Sequence, residues 1–252
     1  MSRIPRVLVD AELFEGACVI ASDSTTRHLT RVLRLKAGAA IGVFDGRGRE
    51  HSARIESCES KRARIRLGPA TSAVPESPAR ITLLQGISRG ERMDLVVQKT
   101  TELGVACIHP VFMERSVVKL DEKRSQRKLD HWRSVALSAC EQCGRATLPD
   151  VLAPAPLRCA LESIEPGGVR VLLDPLGDAE LPASPEAECS IVLLIGPEGG
   201  LSEGERQLAG ATGFRSLAVG PRILRTETAA IAAVTLIQSR WGDLSASGAP
   251  PR

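Results

Sequence analysis

Two rhythms of apolar residues alternate along this chain, and they change character near residue 75. Before that point the apolar positions come in short runs: Arg6–Val9, Ala40–Phe44, Ser52–Ser57 and Arg62–Leu67. Each is bounded by turn-forming residues, and each reads as a short strand. "FDGRGRE" carries the Asp-Gly signal of a hairpin. "DSTTRHLTRVLRLKAG" reads as a short basic helix ending near Gly38. The proline-rich "GPATSAVPESPAR", residues 68–80, reads as a linker, which makes residues 1–74 a small β-rich domain and 75–79 its connection.

From residue 80 the strand rhythm and the helix rhythm take turns. Residues 80–87, 107–113, 169–174, 190–196 and 215–220 predict buried strands. Between them, 92–104 places Met93, Val96, Val97 and Leu103 at helical spacing, and a longer helix is expected over about 123–144. "TETAAIAAVTLIQSRW" predicts the last helix. Such alternation argues a mostly parallel sheet covered by helices, here spanning 80–244, with 245–252 as a disordered tail.

The chain is 43% hydrophobic and 25% charged, an ordinary balance for a protein with a real core. It shows no apolar run of membrane-spanning length and no secretory signal, so a cytoplasmic protein without membrane association is expected. Charge is uneven. Residues 1–74 hold 13 Lys and Arg against 8 Asp and Glu, whereas the remainder holds 20 against 22. A basic front end points to a polyanion, although a solvated surface with a chance excess explains the charge equally well. Four Phe, two Trp and no Tyr leave little for base stacking, so phosphate contacts would dominate. The seven cysteines are scattered, and Cys140 and Cys143 read as two helix cysteines rather than half of a zinc or redox site. No metal is expected.

Two loops carry the candidate chemistry, each following a predicted strand, where open parallel sheets bind ligands. The first, "IGPEGGLSEGE", lacks the Lys-Ser/Thr of a P-loop and the spacing of a dinucleotide fingerprint. Its Gly196, Gly199 and Gly200 permit tight turns, and Ser202 with Glu205 has the form of a capping box. The second, "GPRILRTETA", packs Arg222, Arg225, Glu227 and two threonines into one turn. Arg225 and Glu227 read either as chemistry or as a local ion pair. With neither lysine nor an acidic cluster, the shared pocket suits a flat heterocycle held by main-chain groups.

These two stretches, "LLIGPEGGLSEGE" and "LAVGPRILRTETAAIAAV", resemble the SPOUT class of RNA methyltransferases. "RIPR", "HLTRVLRLKAG", "SRGERMDLVVQKTTELGV", "ERSVVK" and "ACEQCGR" narrow the resemblance to the bacterial small-subunit ribosomal RNA (uracil-N3)-methyltransferases, with motifs in the same order from Arg3 to Leu244. The resemblance implies an α/β fold: a trefoil-knotted parallel sheet with helices on both faces, preceded by a small PUA-like β-barrel. It also implies a homodimer, S-adenosylmethionine as methyl donor, and 3-methyluridine in 16S ribosomal RNA of the small subunit as product, with no DNA partner. Carried over by motif, the cofactor would meet Leu173, Gly196, Pro197, Gly199, Gly200, Leu217, Val219, Gly220, Ile223, Leu224 and Thr226. Arg225 would stabilise the uracil anion, and Glu227 or Glu198 would take the N3 proton. Glu141 and Arg145 read either as additional site residues or as an ion pair at a helix end. Arg3, Arg6, His28, Arg31 and Arg34 are the expected phosphate contacts, positioning RNA rather than reading it. A non-catalytic RNA-binding dimer and a SPOUT enzyme acting on another RNA or atom are the alternatives.

Overall fold

The computed structural model of the chain describes residues 4–59, 62–116, 121–181 and 190–244. Arg3 and the tail at 245–252 lie outside the described residues. The chain divides into two compact units, Met1–Glu76 with Leu137–Leu148, and Ser77–Ala136 with Pro149–Arg252.

In the first unit, β1 (Arg6–Leu8), β2 (Cys18–Ile20), β3 (Ala40–Phe44), β4 (Glu50–Glu59) and β5 (Arg62–Thr71) form one sheet in the order β1-β3-β4-β5-β2. The Asp-Gly hairpin joins β3 to β4: Asp45 accepts hydrogen bonds from the amides of Arg47 and Arg49 at 2.7 and 3.1 Å, and Gly46 and Gly48 have positive φ. Strict alternation in β5 turns Ala63, Ile65 and Leu67 inward onto Leu29, Ala53 and Ile55. Two expectations need revision. The presumed linker begins as strand, because the long β4 pairs Glu50 with Thr71 and His51 with Ala70. The short basic helix ends before Gly38: α1 (Asp23–Arg27) widens into a π-helical turn, His28–Val32, and Arg34 takes a positive φ of 54°. Residues 137–148 join this unit through a small core of Phe44, Cys140 and Ala146.

In the second unit the parallel strands are β6 (Arg80–Gly86), β7 (Cys107–Phe112), β8 (Asp150–Val151), β9 (Ala155–Pro156), β10 (Val169–Leu173), β11 (Ser190–Ile195) and β12 (Arg215–Leu217). The order is β12-β10-β11-β6-β7-β8, with β9 also pairing β7. The central β11 is apolar at every position from Ile191 to Ile195 because both its faces are covered. Ile191, Leu193 and Ile195 pack with α2 (Glu91–Glu102), α3 (Glu122–Cys143) and α6 (Thr226–Trp241). Val192 and Leu194 pack on the other side with α4 (Leu157–Glu162) and α5 (Glu203–Ala211). On α6 the buried positions 226, 229, 230, 233, 234 and 237 trace one helical stripe. The two-residue strands β8 and β9 and the short α4 show no periodicity of their own and were not expected. Among the described residues, no helix is long and apolar enough to cross a membrane.

Candidate active site

The second unit opens a cavity of about 550 Å³ beyond the carboxyl ends of its strands. The last residues of β10, β11 and β12 (Leu173, Ile195 and Leu217) form part of its wall, the position that open α/β sheets use for ligands. The rest comes from the two loops. Gly196, Pro197, Glu198, Gly199 and Gly200 of the first line it, as do Val219, Gly220, Ile223, Leu224, Arg225, Thr226 and Glu227 at the second. The structure therefore brings every residue named for cofactor or chemistry into one cavity of a size suited to a small molecule.

The first loop is a tight turn closed by the Gly200 amide on the Pro197 carbonyl at 2.9 Å. Gly200 takes φ +67° with open space beside it. A Cβ on Gly86, at the end of β6, would stand 2.5 Å from the Pro197 nitrogen, so the strand end and the loop pack backbone to backbone. The capping box forms in both directions between Ser202 and Glu205, which starts α5. The two loops are joined by one side chain. Thr226, only 6% exposed, donates to the Gly196 carbonyl at 2.7 Å and accepts from Gln85 Nε2 at 2.9 Å. Gln85 lies wholly buried in β6. The sequence held no signal for this latch, because its three members are far apart in the chain.

The charged groups differ in their engagements. Burial works against ionisation of Glu198, but the amide of Arg89, its own amide and the guanidinium of Arg92 more than offset it. Its carboxyl is held below the usual range, which makes it a weaker base. Asp174 is buried, and the Leu176 amide and Arg206 at 2.6 Å hold its carboxyl below its ordinary value against that burial. Glu227 contrasts with both: its Oε2 is buried and has no hydrogen-bond partner among the described residues. Arg225 is exposed at the N-terminus of α6, and among the described residues no ion pair joins it to Glu227. Arg222 of the second loop also lines the cavity, as do Arg92, Arg115 and Arg206, which the sequence reading did not place there.

In the first unit the expected phosphate contacts separate into two kinds. Arg31 and Arg34 are exposed, and His28 is half-buried. Arg6 is not a surface residue. Its side chain is 8% exposed, and its guanidinium pairs with Glu50 at 2.8 Å, donates to the carbonyls of Cys140 and Arg145, and lies 4.8 Å from the Phe44 ring centre. With its donors used internally it is a structural hub, not a phosphate ligand. Arg145 pairs with Glu76, and Glu141 and Arg145 both belong to the first unit. Burial raises the Glu141 carboxyl above its ordinary value, against the opposing influence of His28, the Leu8 amide and Arg6. Cys140 is buried, its thiol pushed up to about 12 by that burial, so a thiolate for metal or redox chemistry is disfavoured. Arg54, Arg62, Arg64 and Arg66 alternate onto the solvent face of β4 and β5, a cationic row whose signal was the period of two in "RARIR".

The RNA methyltransferase domain family matches residues 75–238, and the RNA methyltransferase PUA domain family matches residues 22–68. The ribosomal RNA small subunit methyltransferase E of Buchnera aphidicola subsp. Acyrthosiphon pisum is 31% identical over 241 residues, spanning 96% of this chain and 95% of that protein. A crystal structure of a ribosomal RNA small subunit methyltransferase E from Neisseria gonorrhoeae bound to S-adenosyl methionine is 40% identical. It superposes with a TM-score of 0.91 over 96% of this chain and 100% of that one. A putative methyltransferase from Legionella pneumophila, in complex with bound S-adenosylmethionine, is 37% identical with a TM-score of 0.91 over the same shares.

Proposed function

The chain belongs to the RNA methyltransferase family of ribosomal RNA small subunit methyltransferases E, and from that premise we propose that it methylates N3 of one uridine in 16S ribosomal RNA, with S-adenosylmethionine as donor. One observation carries the reading: two glycine-containing loops, latched together by Thr226, wall a single cavity at the carboxyl ends of three parallel strands. The walls fit the donor. Gly196, Gly199 and Gly200 offer close main-chain approach, while Leu173, Leu217 and Leu224 offer apolar faces for an adenine. When bound, S-adenosylmethionine supplies an electrophilic methyl group on a sulfonium.

The chain's own residues do the rest. Uracil N3 carries a proton, and its removal leaves an anion delocalised over two carbonyls. Arg225, together with the N-terminus of the 16-residue α6, presents positive charge to that anion. The unpartnered Oε2 of Glu227 is free to accept the proton, whereas Glu198 is committed to Arg92 and the Arg89 amide. A positioned base contributes about 10²–10⁴ in rate, and holding methyl and nitrogen in line about 7–11 kcal/mol. The target base must be unpaired or flipped to be reached. Arg31 and Arg34 on the first unit would hold its flanking phosphates. The same reading includes action in the cytoplasm and a homodimer, for which Leu95 of α2 and Leu236 of α6 offer exposed apolar area. It also includes a trefoil-knotted path.

The test is genetic and chemical. Mass spectrometry of digested 16S ribosomal RNA from a deletion strain should lose 3-methyluridine. The wild-type gene should restore it and one encoding Arg225→Ala should not, although the variant still binds S-adenosylhomocysteine by calorimetry. Unchanged 3-methyluridine in the deletion strain refutes the reading.

A further inference from the structure

The charge of the cavity wall does not match the donor alone. Among the described residues, five arginines line it (Arg92, Arg115, Arg206, Arg222 and Arg225) against three acids, Asp174, Glu198 and Glu227. These residues together carry an excess of two positive charges. S-adenosylmethionine is itself a net cation near neutral pH, with a sulfonium and an ammonium against one carboxylate. An electropositive wall opposes such a ligand, so the excess calls for an anion that shares the site.

The pairings show which cations are committed. Arg92 is held by Glu198 and Arg206 by Asp174. Arg115 is exposed and spends one N–H on the Gly199 carbonyl at 3.2 Å, which anchors it to the glycine loop with donors to spare. A Cβ on Gly199 would lie 2.8 Å from the Arg115 Cβ, so the absence of a side chain there is what admits this arginine. Arg222 is exposed on the opposite loop and makes no hydrogen bond or ion pair among the described residues. Arg115, in the turn after β7, is thus tied to the glycine loop, while Arg222 belongs to the second loop that lines the cavity.

Resting on the function proposed above, we propose that Arg115 and Arg222 form a clamp for the RNA phosphates flanking the methylated nucleotide, so that the second unit as well as the first holds the substrate. Guanidinium groups suit this because their fork donates two parallel hydrogen bonds to one phosphate. The donor's single carboxylate is the other anion these residues could meet, and the experiment separates the two.

The full-length protein carrying Arg115→Ala and Arg222→Ala is compared with wild type by calorimetry with S-adenosylhomocysteine and by steady-state methylation of small subunits across a salt series. The expected result is cofactor affinity within about twofold of wild type, a rise in RNA KM of at least about tenfold, and a much smaller fall in kcat. The salt slope of RNA binding should shrink by about 0.7 for each phosphate that is no longer neutralised. Arg115→Lys with Arg222→Lys, which keeps the charge, should retain most of the slope. An equal loss of cofactor affinity would assign the pair to the donor's carboxylate and overturn the clamp, as would unchanged RNA KM and slope. A wild-type protein that binds no S-adenosylhomocysteine would instead sink the underlying reading, and the clamp with it.

Discussion

Thr226→Val is the most incisive perturbation of the cavity, because valine keeps the shape of threonine and removes only the hydroxyl. That hydroxyl is buried and makes two bonds, donating to Gly196 and accepting from Gln85. Leaving the Gly196 carbonyl without its donor costs about 1–3 kcal/mol. Gln85 loses one acceptor but keeps its bond to the Gly86 carbonyl at 3.1 Å, a loss of about 0.5–1.5 kcal/mol. Together the second unit should lose about 1.5–4.5 kcal/mol of stability. The two tryptophans, Trp132 and Trp241, both belong to that unit, so their fluorescence in a urea titration reports it selectively. Since the lost bond is also what holds the loops together, calorimetry with S-adenosylhomocysteine should show weakened binding, about tenfold for each 1.4 kcal/mol transmitted to the site. Thr226→Ser, which keeps the oxygen, should recover most of both losses. A valine variant with wild-type stability and wild-type affinity would show that the loops are not latched through this side chain, and the account of the cavity would fail.

Two further outcomes test the first unit. Arg6→Ala should strip Glu50 of its buried partner and destabilise that unit by about 3–5 kcal/mol, seen as reduced hydrogen-exchange protection in β1, β3 and β4; intact protection with weakened RNA binding would return Arg6 to the surface. Glu141 has its carboxyl raised by burial, so the fold favours its protonated form: the stabilisation is present below the ordinary carboxylate value of about 4.3 and is lost as pH rises through the raised one. Glu141→Gln should therefore melt above wild type at pH 7 and lose that advantage at pH 4, and an equal or lower melting temperature at pH 7 would contradict the sign.

Where neighbouring residues decide a feature, the chain announced it. The Ser202–Glu205 capping box, the Asp45 turn, the apolar run of β11 and the last helix, α6, all form where their patterns predict them. Each depends on contacts within a few residues or on a periodicity that one element displays by itself. The two loops could be named as a pair because both follow strands of a parallel sheet. That they share a cavity depends on β10, β11 and β12 lying side by side in an order the chain does not follow.

Partners distant in sequence belong to the tertiary structure alone. Arg6 looked like a phosphate ligand because a basic residue in a basic segment carries no mark of the acid, carbonyls and ring that enclose it from Glu50, Cys140, Arg145 and Phe44. The same holds for Thr226, whose partners are 30 and 141 residues away, and for the arginines that gather around the cavity from four separate elements. Periodicity states which face of an element turns inward. What that face meets, and so whether a charge is spent inside the fold or left for a ligand, is settled only when the elements pack.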